Sequence, residues 1–167
     1  TKGTFYKSIS QDGGRTWSRM DSATAKPKLS GIWGTAYDNV YAVGRYGTVL
    51  HYDGNLAGTW STVDTGSVTS LELRHIWGSS ANDIFVVGYS GVIIHYDGSS
   101  WSTMDSGTTR DLLGVWGSSG TDVYAVGGGN NGDNNPDNGI ILHYDGNPEG
   151  IWTPMDMGSV IKSLRGV

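Results

Sequence analysis

One phrase recurs three times and limits what this chain can become. It consists of an apolar residue with Trp-Gly, a short polar turn, a Val-Tyr-Ala-Val-Gly-like run, an Ile-Leu-His-Tyr-Asp-Gly-like run and a closing Trp. The copies run from Ile32-Trp33-Gly34 to Trp60, from Ile76-Trp77-Gly78 to Trp101 and from Val115-Trp116-Gly117 to Trp152. Self-similarity on this scale means stacked copies of one supersecondary unit, because no single copy can bury its own apolar faces.

Each copy reads as four strands. The first is short and apolar: Leu29 to Trp33, Leu73 to Trp77, Leu112 to Trp116. A polar turn holding Asn39, Asp83 or Asp122 follows. The second strand is Val40 to Gly44, Ile84 to Gly88 or Val123 to Gly127, and the third is Thr48 to Tyr52, Val92 to Tyr96 or Ile140 to Tyr144. An Asp-Gly turn, a strong hairpin signal, leads to a fourth strand beginning at Trp60, Trp101 or Trp152. The middle strands are almost continuously apolar, so both their faces are buried. No segment has a helical period, and 27 Gly with 9 Tyr and 7 Trp supply turn formers and strand formers. The pattern predicts an all-β chain, a β-propeller of four-stranded antiparallel blades with the Gly-containing first strand nearest the axis.

The ends predict a partial arc of about four blades. Residues 1–28 hold a third and a fourth strand, around Phe5 and Trp17, and read as half a blade. Blades follow at 29–66, 67–107 and 108–158, and 159–167 reads as the first strand of another. An open arc exposes apolar sheet faces, so the expectation is a fragment of a longer chain or a ring completed by another copy, that is, self-association. The first residue is Thr1, which favours the fragment.

Composition removes several functions. The net charge is −5 and the six Arg and five Lys are scattered, against nucleic acid and anionic membrane surfaces as partners. No apolar stretch is long enough for a membrane helix. There is no Cys, so neither disulfides nor thiolate metal sites are available.

Ser10-Gln11-Asp12-Gly13-Gly14-Arg15-Thr16-Trp17 fits the pattern Ser-x-Asp-x-Gly-x-Thr-Trp at Ser10, Asp12, Gly14, Thr16 and Trp17. Looser copies begin at Asp53, Asp97 and Asp145. On these residues the chain resembles the Asp-box, sialidase-type, BNR-like β-propellers over nearly its whole length. The resemblance implies a structural turn between third and fourth strands, away from the ligand face. Elementary chemistry agrees: a short carboxylate accepts its own turn's amides, Gly takes positive φ and Trp packs back over the hairpin. Asp12, Asp53, Asp97 and Asp145 are therefore assigned structural roles.

Sialidases of that kind use an Arg triad, a Tyr–Glu pair and an acidic residue. Here Arg15, Arg19, Arg45, Arg74, Arg110 and Arg165 occupy unrelated repeat positions, and Glu72 and Glu149 lie in connecting segments. No carboxylate pair stands out for glycoside hydrolysis, and fold alone does not carry function. The expectation is no enzyme and no cofactor. His51, His95 and His143 hold one repeat position in successive blades, too far apart to share a metal ion, and are read as repeated interblade hydrogen bonds. His75 stands where Gly31, Gly114 and Gly166 stand elsewhere, and the expectation is that it points toward the central channel as a ligand candidate. Trp33, Trp77 and Trp116 end the innermost strands, either as interblade core or as aromatic platforms for a sugar. Trp17, Trp60, Trp101 and Trp152 are read as core.

The one unique segment, Gly127 to Gly139, replaces the tight turns Arg45-Tyr46-Gly47 and Tyr89-Ser90-Gly91. Asp133, Asn135 and Asp137 alternate as in a calcium loop, but the Gly is displaced and Tyr144 stands where a bidentate Glu belongs. Calcium is a candidate ligand and a surface insertion the plainer reading. The sequence thus predicts a non-enzymatic propeller scaffold in an extracellular, surface or virion-associated assembly. The alternatives are a lectin-like propeller with shallow Trp- and Tyr-lined pockets between blades, and a fragment of an Asp-box glycosidase.

Overall fold

The computed structural model describes residues 27–55, 58–66, 68–128 and 139–156 in full, and the backbone of 5–8 and 17–20. Three four-stranded antiparallel sheets follow one another along the chain. The first comprises β3 (Leu29–Ala36), β4 (Asn39–Gly44), β5 (Val49–Tyr52) and β6 (Ser61–Thr62). The second comprises β7 (Leu73–Ser80), β8 (Asp83–Gly88), β9 (Ile93–Tyr96) and β10 (Trp101–Met104). The third comprises β11 (Leu112–Ser119), β12 (Asp122–Gly128), β13 (Gly139–Tyr144) and β14 (Thr153–Pro154). An antiparallel hairpin of β1 (Phe5–Ser8) and β2 (Trp17–Met20) precedes them, pairing Ser8 with Trp17. Within each sheet the strands pair in sequence order, and the sheets meet chiefly through β3, β7 and β11. This is a partial β-propeller of three complete blades.

Two details depart from the sequence reading. The innermost strands are longer than expected, running through the Trp-Gly pair to Ala36, Ser80 and Ser119, so Trp33, Trp77 and Trp116 lie within the strands rather than at their ends. The ladder continues because the polar turn is only two residues long, for example Tyr37-Asp38 between Ala36 and Asn39. The fourth strands are short, and two of them start one residue after the Trp, at Ser61 and Thr153.

The core lies between blades. Val43 and Val49 of the first blade pack with Ile76 and Ile84 of the second, and Val87 and Ile93 of the second pack with Val115 and Val123 of the third. Trp33 lies over Gly78 of the next blade, and Trp77 lies over Gly117 of the blade after that. A Cβ on either glycine would sit 2.6 Å from the indole Cη2, so the Trp-Gly pair is a knob and its hole on adjacent blades. The residue after the Gly at 31 and 114 and after His75 follows the same logic: Ile76 and Val115 are 2% and 1% exposed, against 61% for Ile32, whose face has no complete blade beside it. Trp116, at the opposite end of the arc, is 49% exposed.

Candidate functional site

The polar residues of each blade are largely committed to the fold. His95 Nε2 bonds Asp83 Oδ1 at 2.6 Å, and Ser79 Oγ donates to Asp83 Oδ2. His143 Nε2 bonds Asp122 Oδ1 at 2.8 Å, and Ser118 Oγ donates to Asp122 Oδ2. In the first blade the neutral Asn39 takes the same place: its Oδ1 accepts from His51 Nε2 at 2.8 Å and its Nδ2 donates to Thr35 Oγ1 at 2.8 Å. Each His also stacks on the aromatic ring opposite it in the second strand, Tyr41, Phe85 or Tyr124, with centroids 4.3 to 4.5 Å apart. These bonds are all within a blade, which corrects the expectation of interblade bonds. The register decides it, since His51, His95 and His143 pair directly with Tyr41, Phe85 and Tyr124.

Ser, Asp and His standing together invite a comparison with a hydrolytic triad, and the order of the bonds differs from it. A hydrolytic triad places His between the hydroxyl and the carboxylate, so that the imidazole takes the hydroxyl's proton. Here the carboxylate sits between hydroxyl and imidazole, and no Ser–His bond exists in these sets. The bond from Ser118 and then that from His143 hold the Asp122 carboxyl below its ordinary value. Burial moves the His51 imidazole the same way, which favours its neutral form.

The Asp-Gly turns are equally self-contained. Asp53 Oδ1 accepts from the amide and side-chain nitrogen of Asn55, at 3.0 and 2.6 Å, and Asp145 does the same with Asn147, at 3.1 and 2.9 Å. Asp97 Oδ1 accepts from the amides of Ser99 and Ser100, both at 2.8 Å. These bonds, first the side-chain one for Asp53 and Asp145 and the Ser100 amide for Asp97, lower all three carboxyl pKa values. Ser10, Asp12, Gly14 and Thr16 lie outside the described residues, as do Asp133, Asn135 and Asp137, and of Trp17 only the backbone is described. Among the described residues no three His, Asp or Glu side chains are grouped to hold a metal ion.

His75 does something its repeat counterparts cannot. Its Nδ1 lies 3.2 Å from the carbonyl oxygen and 3.3 Å from the amide nitrogen of Val115, so it ties the innermost strands of the second and third blades together. Glu72 is a second tie between blades, and one that sequence alone did not single out. It takes Arg45 Nε of the first blade at 2.9 Å and Arg74 of its own at 2.9 Å, and the Arg74 guanidinium lies over the Tyr89 ring. Burial would raise the Glu72 carboxyl, but the bonds from Arg74 and Arg45 outweigh it and lower the pKa.

Several clefts among the described residues are open to a ligand, and the one lined by most aromatic rings lies between the first two blades. A groove of about 530 Å³ separates the first and second blades, floored by Tyr41, Tyr96 and Trp101 and walled by Asp64 and Ser100. Tyr96 and Trp101 stack at 5.2 Å, and Tyr41 meets Trp101 edge-on at 6.5 Å. Trp101 packs against the core between the first two blades but is only half-buried, whereas Trp60 and Trp152 are 6% and 2% exposed. The cause is a turn length visible in the sequence. From Asp to Trp the second blade has Gly98-Ser99-Ser100, three residues fewer than Gly54 to Thr59 or Gly146 to Ile151.

In the third blade the longer turn reaches back to the second. Ile151 bridges Asp105, and the Trp152 amide donates to the Asp105 carbonyl at 3.2 Å, closing that joint over the indole. Asp64 is the counterpart of Asp105, and among the described residues no bond from the short turn reaches it. The joint between the first and second blades therefore stays open. Gly98, at φ +90° and with the Asn82 Cβ 2.9 Å from where its own Cβ would be, anchors the short turn against the β7–β8 corner.

The fold has solved counterparts. A structure of YCF48 bound to D1 peptide superposes with a TM-score of 0.63 at 15% identity, over 91% of this chain and 47% of that one. YCF48 from Cyanidioschyzon merolae superposes with a TM-score of 0.56 at 19% identity, over 79% of this chain and 41% of that one. The chain spans about half the length of these structures or less, and at such identities the likeness is one of fold: a β-propeller-type repeat. No family model matches the chain, and no curated protein matches it. Among the described residues no helix is long and apolar enough to cross a membrane.

Proposed function

We propose that this chain is a non-enzymatic β-propeller interaction module of the Asp-box type, which binds a partner in the open groove between its first and second blades. One observation carries the reading. The Ser-Asp-His sets of the second and third blades are bonded within their blades, with the carboxylate between hydroxyl and imidazole, while the groove presents aromatic faces and polar walls that no internal bond has closed. Aromatic floors with a few convergent polar groups are the composition of sites that take small ligands. That YCF48, a propeller of similar fold, is seen bound to a peptide fits a binding role.

The half-exposed Trp116 and the exposed Ile32 favour a second role, association of copies through their end blades. The counterparts Trp33, Trp77, Ile76 and Val115 are the very residues that join blades inside the chain. The binding role is tested by displaying peptide and glycan libraries to the purified chain and repeating any hit with Trp101→Phe. A ligand whose affinity is indifferent to that change, or no ligand at all, overturns the groove as the site.

A further inference from the structure

The geometry points to a neutral pyranose as the occupant of the groove between the first and second blades, stacked on the Trp101–Tyr96 pair and bonded at its hydroxyls by Asp64 and the Ser99–Ser100 turn. This assignment rests on the binding role just proposed and narrows it to one ligand class.

A pyranose has two unlike surfaces. One face presents C–H groups that pack flat on an aromatic ring, and the edge presents hydroxyls that both donate and accept. The groove has the same division. Tyr96 and Trp101 form a stacked platform at 5.2 Å, and Tyr41 buttresses the indole edge-on from the neighbouring blade. The platform is rigid. Tyr96 donates its hydroxyl to the Gly98 carbonyl at 3.0 Å, and the Tyr41 ring is held against His51.

The polar rim suits hydroxyls. Asp64 uses Oδ1 to hold the Gly66 amide at 2.8 Å, which leaves Oδ2 for a ligand donor. Ser99 and Ser100 line the groove, and only their backbone amides are used to hold Asp97. No Lys or Arg lines the groove, and Asp64 lends it negative character, so acidic sugars and phosphorylated ligands are disfavoured. A peptide added as a further strand would need a row of unpaired backbone groups, and this groove is lined by side chains and a turn already bonded to itself; a peptide docked on the aromatic rings is the competing occupant that the test separates. The homologous joint between the second and third blades is the internal control. There Tyr144, the counterpart of Tyr96, still stacks on its Trp at 5.6 Å, but the cleft is smaller, about 310 Å³, is walled by Pro148 and Glu149, and Trp152 is sealed beneath the longer turn.

The test begins with the labelled chain on an array of neutral and acidic glycans. The best neutral binder is then titrated against the wild type, Trp101→Ala, Trp101→Phe, Asp64→Ala and the remote, exposed Met155→Ala, each checked by circular dichroism and melting temperature. Loss of one stacked ring or one carboxylate contact should weaken binding by about tenfold, while Met155→Ala leaves it unchanged. If Trp101→Ala does not fold, Trp101→Phe and Asp64→Ala carry the test, together with the shift of the Trp101 indole proton resonance on titration of the wild type. Neutral glycans that bind with equal affinity to the Trp101 and Asp64 variants overturn this site. Binding only to acidic glycans overturns the ligand class. Peptides bound through Trp101 with no glycan binding overturn the carbohydrate assignment and leave the binding role standing.

Discussion

Replacing Gly78 by Ala tests the knob-and-hole account of the blade joints directly. A Cβ at Gly78 would sit 2.6 and 2.7 Å from Cη2 and Cζ2 of Trp33 on the preceding blade, and 2.8 Å from the carbonyl of Asp83 in its own. Gly34 holds the same place in the first blade. There the nearest atoms a Cβ would meet, among the described residues, belong to its own blade, 2.6 Å away at the Asn39 carbonyl and 3.1 Å at Val40. Both substitutions incur the intrablade clash, and only Gly78→Ala also drives a side chain into a packed indole. Overpacking of this kind costs about 1–3 kcal/mol, so Gly78→Ala should be the more destabilising by an amount on that order. For a chain of this size that is about 2–4 °C in melting temperature per kcal/mol.

Scanning calorimetry or urea titration of both variants measures the difference. A double variant, Trp33→Ala with Gly78→Ala, should cost less than the sum of the singles, because truncating the ring removes the clash; coupling between touching residues runs to about 0.5–3 kcal/mol. Equal destabilisation by Gly34→Ala and Gly78→Ala, together with an additive double variant, would refute the claim that the indole fills the glycine hole.

Other outcomes follow from the same geometry. Because the Glu72 carboxyl is held low in the folded chain, the unfolded chain binds more protons as acid is added; the clasp's stabilisation is present above the ordinary value of 4.5 and fades as pH falls through the lowered folded value. Glu72→Gln should flatten that part of the stability–pH curve, at a cost of about 0.2–1 kcal/mol at neutral pH because Arg45 is half exposed; an unchanged curve contradicts the clasp. Asn147→Ala removes the side-chain bond to Asp145 and those to both backbone groups of Ile151, and should lower stability by about 1–3 kcal/mol; a neutral effect in thermal melts would show that the turn holds itself without the side chain. Light scattering should find complexes larger than one chain, and Trp116→Ala should shift the distribution toward monomer; a stable monomeric wild type removes the end-to-end contact.

Much of this molecule was legible in the string of residues. Repetition of Trp-Gly, apolar strand and Asp-Gly announces stacked four-stranded sheets, since a unit that cannot bury its own faces must stack. The role of the Asp-Gly turns was legible too, because Asp53 and Asp145 bond to Asn only two residues on, within the range that local sequence controls. What depends on which atoms meet across a joint was not. The histidines bond within blades rather than between them because pairing register, not repeat position, brings His95 to Asp83. Glu72 and Arg45 are far apart in sequence and meet only because consecutive blades stack.

Trp101 makes the division plainest. Its missing three turn residues are visible in the sequence, yet their effect is felt on another blade, where Asp64 is left unbridged and a groove stays open. Periodicity alone determined the kind of fold and the number of complete blades, because burial of alternating and continuous apolar runs is a local demand repeated along the chain. The tertiary structure alone decided which aromatic ring faces solvent, because exposure belongs to the pair of surfaces that meet and not to either residue by itself.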